Sequence, residues 1–131
     1  MRFMMLVQLP ADISADDARQ HADVVRMLRY NEALTRAGVL LALDGLHPTT
    51  EGARVVFAGG RCRVLDGPYA EAKEIVGGYW LLQVSSKEEA VEWARRCPMG
   101  DGDVIEVRRV YEVTDCSPGA REVAQLLRAP G

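Results

Sequence analysis

The sequence is poor in the residues that build metal, disulfide and nucleic-acid sites. Its three cysteines, Cys62, Cys97 and Cys116, are odd in number and far apart. They form no CxxC pair and match no zinc spacing, which argues against a disulfide framework and points to reduced thiols in a cytoplasm. Cys97 ends an apolar helical stripe and reads as structural. The two histidines, His21 and His47, stand apart from any carboxylate cluster, so no metal is expected, and no cofactor motif is present. A net charge of −3 with no lysine or arginine run excludes a nucleic-acid backbone as the expected partner. No apolar run reaches the roughly 18 residues of a membrane span. The opening Met1–Pro10 stretch lacks the length and cleavage site of a signal peptide and is expected to run directly into structure.

What is present is ordinary for a globular domain: 48% hydrophobic and 27% charged residues in a chain of 131. A chain of that length is about one domain and buries roughly two-thirds of the surface its unfolded form exposes.

Phe3 to Gln8 is a short apolar run closed by Pro10, the pattern of a buried first strand. Ser14 can cap a helix, with Asp16 and Asp17 in its first turn. That helix is expected to run to about Ala37 and to stop at Gly38. Its apolar stripe reads Val24, Met27, Leu28, Leu34 and Gly38. Val39 to Leu43 reads as a second strand and Asp44 to Pro48 as a turn. Ala53 to Phe57 and Arg61 to Leu65 flank Gly59-Gly60, a hairpin whose turn needs positive φ angles. Asp66-Gly67-Pro68 ends it. Gly77 to Val84 reads as a central strand. Ser86 to Glu89 is a capping box opening a helix with Ala90, Trp93, Ala94 and Cys97 on one face. Val104 to Val110 is the last core strand, and residues 115–131 form a tail with a short helix near Ala120 to Leu127.

The order β-α-β, hairpin, β-α-β is the split βαβ repeat of a ferredoxin-like α+β fold with an inserted β-hairpin, over residues 1–114. Helices then cover one face of the sheet, and a second copy is the economical cover for the other, giving an expected homodimer.

Arg29-Tyr30-Asn31-Glu32, Gly45-Leu46-His47-Pro48, Gly52-Ala53-Arg54-Val55, Asp66-Gly67-Pro68-Tyr69-Ala70-Glu71 and Gly78-Tyr79-Trp80 resemble the YCII-related proteins. More narrowly they resemble the branch named for its Asp-Gly-Pro-Phe motif, in register from Met1 to about Thr114. The resemblance implies a dimeric α+β barrel with a cleft in each protomer and a suspected enzymatic role. It also implies, for some members, a link to extracytoplasmic-function sigma factors. Tyr69 stands where the motif has Phe. The His-Asp dyad attributed to YCII-type proteins has its histidine on the first helix, where this chain has Met27 or Leu28, so the dyad is not carried over.

Asp66, at a strand end before a Gly-Pro turn, is the leading candidate for chemistry, with Glu71 and Lys73 as acid-base neighbours. The alternative is that Asp66 caps the turn. Asn31 is polar within the apolar stripe and must be satisfied by backbone or by a ligand; Tyr30 stands at the stripe's edge. His47 could act as a base oriented by Asp66, or be a solvated turn residue. Asp44 and Tyr69 complete the expected ligand-binding set, and Arg54 is a candidate for an anionic group. Glu106 and Arg108 read as an exposed strand pair or as rim charges facing a dimer mate.

Two functions remain open at this stage. One is a small-molecule enzyme or binder with a cleft where Asp66, Asn31 and His47 converge. The other is a dimeric interaction module, tied to transcriptional regulation, whose motif residues only build the dimer.

Overall fold

A computed structural model describes residues 1–11, 21–69, 72–115 and 117–128. The expected Ser14 cap with Asp16 and Asp17, together with Glu71 and Cys116, lies outside the described residues, as does the side chain of His21.

Four strands, β1 (Arg2–Pro10), β2 (Leu40–Gly45), β5 (Glu74–Gln83) and β6 (Val104–Arg109), form one antiparallel sheet in the order β2-β5-β1-β6. Helices α1 (His21–Arg36) and α2 (Lys87–Arg96) supply the two crossovers. This is the ferredoxin-like α+β arrangement. Strands β3 (Ala53–Ala58) and β4 (Arg61–Asp66) pair only with each other, as a separate two-stranded ribbon. Helix α3 (Pro118–Arg128) follows β6.

Strict alternation along β1 sends Phe3, Met5 and Val7 into the core, and along β5 it sends Gly78, Trp80 and Leu82 the same way. Leu34 from α1 and Ala90 from α2 meet them there, and Met5, Leu34 and Leu82 are fully buried. Met4, Leu6, Tyr79 and Leu81 occupy the alternate positions, so they face away from this core and stay partly exposed.

The helix stripe differs from the sequence reading. Val24 and Leu28 are exposed, while Tyr30 is buried with Leu34. Spacings of three and four admit two overlapping stripes on a helix, and Trp80 and Trp93 select the one that carries Tyr30 through ring contacts. Gly38, at φ +73°, ends the helix as expected, with Val39 N donating to Leu34 O.

Strand boundaries differ for a reason held in the glycines. β2 continues through Asp44 and Gly45 because Gly45 pairs with Gly78. A Cβ on Gly78 would stand 2.9 Å from the Asp44 carbonyl oxygen. β5 begins at Glu74 and bulges at Gly77, which has no partner between the pairs Val7–Gly78 and Gln8–Val76. Gly59 (φ +58°) and Gly60 (φ +76°) form the tight hairpin turn. The capping box is shifted by one residue. Ser86 Oγ accepts from Glu89 N at 3.1 Å, but the Glu89 carboxylate accepts from Ser85 N and Ser85 Oγ, at 2.8 and 2.7 Å.

Candidate functional site

The residues singled out by sequence fall into three separate groups. The first lies inside the helical layer. Tyr30 donates its hydroxyl to the Trp93 carbonyl at 2.6 Å, and Trp80 Nε1 donates to Asn31 Oδ1 at 2.8 Å. The Tyr30 ring meets Trp80 edge-on at 5.9 Å and Trp93 at 6.5 Å, the geometry that aromatic quadrupoles favour. Both polar candidates on α1 therefore have partners within the subunit. Burial raises the pKa of the Tyr30 hydroxyl and pushes the Cys97 thiol up to about 12, so both stay protonated at neutral pH and neither is a ready nucleophile.

The second group sits at the root of the hairpin. Ala53 pairs with Asp66, which brings the two ends of the ribbon together. Gly67 N donates to Gly52 O, and Gly52 N to Thr49 O, both at 3.0 Å. A Cβ on Gly67 would fall 1.7 Å from the Thr49 carbonyl oxygen, so the loop just after His47 and Pro48 presses directly on the Asp66–Gly67 bend. The Gly67–Pro68 peptide is cis. Arg54 lies over the Tyr69 ring, 4.0 Å from its centroid, a cation–π contact. Asp66, His47 and Lys73 are exposed. Among the described residues none of their side chains makes a hydrogen bond or ion pair. Asn31, held by Trp80, is not bonded to either Asp66 or His47.

The third group lies on the open face of the sheet. Asp44 pairs with Tyr79, Tyr79 with Leu6, and Leu6 with Glu106, a single row crossing all four strands. Tyr79 donates to Asp44 Oδ2 at 2.7 Å, and the hydrogen bond to that carboxylate raises the tyrosine pKa. Glu106 accepts from Gln8 Nε2 at 3.2 Å and pairs with Arg108 at 3.1 Å. The expected Glu106–Arg108 strand pair is thus present. Asp44, placed in a loop by the sequence reading, is instead a strand residue. Tyr79 and Gln8 escaped the sequence reading, although period-two alternation with Trp80 and Val7 already puts both on this face. Chemically, each carboxylate here accepts hydrogen bonds from its neighbours, and no nucleophile–base pair forms among the described residues.

Among the described residues no group of His, Cys, Asp and Glu could hold a metal ion. Among the described residues no helix is long and apolar enough to cross a membrane. A family model described as YCII-related domain matches residues 1–114. The chain is also 35% identical over 88 residues to an uncharacterized protein of Rhizobium meliloti (strain 1021), covering 64% of this chain and 71% of that one.

Proposed function

The chain belongs to the YCII-related domain family, and from that premise we propose that it works as a homodimeric, non-catalytic interaction module. The observation that carries this reading is the use already made of Tyr30 and Asn31. The Tyr30 hydroxyl and the Asn31 side-chain oxygen are bonded to Trp93 and Trp80 inside the subunit, so these two motif groups of α1 serve to build the protein. The partly exposed apolar residues of the open sheet face supply the surface for a second copy. A transcription regulator, the partner class that the family resemblance implies, is the heterologous target of such a dimer, and the location that fits it is the cytoplasm. On this reading the chain is a member of the Asp-Gly-Pro-Phe branch, with Tyr69 as the final residue of the motif. Light scattering at micromolar concentration tests the reading: a dimer mass is expected, and a monomer mass refutes it.

A second reading has its own support. Asp66 is exposed at a bend where Gly67 packs against Thr49, two residues after the exposed His47, an arrangement open to a small ligand with Tyr69 and Arg54 at its side and Lys73 as a further candidate contact. A metabolite that raises the melting temperature of the wild type but not of Asp66→Asn would establish this site by mass action. Equal shifts in both proteins would dismiss Asp66 as a ligand contact.

A further inference from the structure

The ribbon β3–β4 sorts its side chains by chemistry. Its register places Arg54, Arg61 and Arg63 on one face, and Val55, Phe57, Cys62 and Val64 on the other. Phe57 is 79% exposed, Val64 62% and Val55 50%. The two strands pair only with each other, so each keeps an open outer edge. The Gly59-Gly60 turn makes Ala58 and Arg61 a hydrogen-bonded pair, so by alternation Cys62 and Val64 turn their backbone N–H and C=O groups outward along β4. Among the described residues those outward groups meet no other strand.

We propose that the outer edge of β4 is a docking site for an extended segment of a partner protein, one that alternates acidic and apolar residues and joins the ribbon as a third strand. The proposal rests on the interaction-module reading above and gives its heterologous target a place and a chemistry.

Edge, charge and hydrophobicity together select that occupant. A two-stranded ribbon is at best marginally stable in water, and a third strand supplies what it lacks. An open edge is completed by another backbone, and side chains set alternately along the added strand then give specificity. Every second residue of that strand lies beside Arg61 and Arg63, and the residues between lie beside Cys62 and Val64. Among the described residues Arg61 and Arg63 make no ion pair, so carboxylates on the added strand meet free cations. Arg54, the one arginine of β3, already lies over the Tyr69 ring at 4.0 Å, which favours the β4 edge over that of β3. Apolar residues on the other side extend the face of Val55, Phe57 and Val64.

The same register disfavours other occupants. The β4 edge of a second copy would set arginine against arginine, and directly opposed like charges are destabilising. A nucleic acid offers nothing to the apolar face. The hairpin 53–66 carries three arginines and one aspartate, a charge of +2 in a chain of net charge −3, so the remainder is acidic and repels a long polyanion. The homodimer proposed above uses the open face of the four-stranded sheet and leaves this edge to a partner.

The probe is a short fluorescent peptide alternating glutamate and valine, titrated with the full chain and read by anisotropy. Binding is expected. N-methylating one alternate set of its backbone amides should abolish it while methylating the other set does not, the signature of a strand bonded along one edge. Arg61→Glu/Arg63→Glu should weaken binding by about 10-fold or more, and a peptide alternating lysine and valine should bind that double variant instead. No binding at roughly 1 mM overturns the edge site. So does equal binding of a scrambled peptide of the same composition, or a preference for duplex DNA or for phosphatidylserine vesicles. A dimer mass without peptide binding removes the site and leaves the homodimer standing; a monomer that binds the peptide keeps the site and removes the homodimer.

Discussion

Strand β5 and the hairpin ribbon both set successive side chains on opposite faces, and those faces end in opposite environments. Along β5 the pattern puts Gly78, Trp80 and Leu82 against two helices, with Trp80 held further by Asn31. Along β3 and β4 it leaves every residue exposed. Alternation therefore specifies that a face exists; a neighbouring element decides whether the face is dry. In β5 that neighbour is joined to the strand through one short connection to α2. The hairpin is linked by two ends that meet at Ala53 and Asp66, and it stands off the sheet.

The largest difference between the two regions should come from their aromatic anchors. Trp80→Ala removes a buried indole and leaves Asn31 without its donor, and should destabilise the protein by about 3–5 kcal/mol in urea unfolding. A loss below about 1 kcal/mol would mean that the core does not depend on this strand.

The joint between the regions comes next. Gly67→Ala drives a methyl group into the Thr49 carbonyl, an overpacking that should be destabilising by roughly 1–3 kcal/mol. It should also raise hydrogen exchange across residues 47–52 without touching the β1–β5 amides. Equal changes in both segments would show that the hairpin root and the sheet unfold as one unit.

On the ribbon itself, Phe57→Ala should leave the intrinsic stability of the subunit within about 0.5 kcal/mol, measured under dissociating dilution, since an exposed side chain has little packing to lose. A drop as large as that of Trp80→Ala would place Phe57 in a core of its own.

The smallest effect is electrostatic. The Asp44 hydrogen bond holds the Tyr79 pKa above the usual tyrosine value, so Tyr79 should ionise late in an ultraviolet titration, as the buried Tyr30 does. A raised folded-state pKa makes a stabilising contribution that is fully present below the unfolded value of roughly 10 and is lost as pH climbs through the folded one. Asp44→Asn removes the charge and should lower the Tyr79 step while leaving that of Tyr30 in place. An unchanged titration would mean that the pair opens in solution.

Much of this molecule was legible from residue order. The Gly59-Gly60 turn, the Gly38 helix stop, the α3 helix and the inserted hairpin follow from local rules, since positive φ and helix capping depend on a few adjacent residues. Less legible were the exits of the strands. Asp44 looked like a turn residue beside Gly45, and only the pairing of Gly45 with Gly78 shows why the strand continues past it. The candidate site was read least well, because the α1 stripe is ambiguous by one helical step. Choosing Leu28 leaves Tyr30 at an edge, whereas Trp80 and Trp93 pull Tyr30 inside and occupy its hydroxyl.

By itself, then, the sequence determined the α+β element order and the place of the hairpin, because hydrophobic period, caps and glycines act over a few residues and carry their meaning in any context. The tertiary structure alone decided which polar side chains are already bonded, and that the chain's chemistry-bearing residues divide among a helical layer, a hairpin root and an open sheet face. Those outcomes depend on contacts between residues far apart in the chain, such as Trp80 with Asn31 at 49 positions and Tyr30 with Trp93 at 63, which no local pattern encodes.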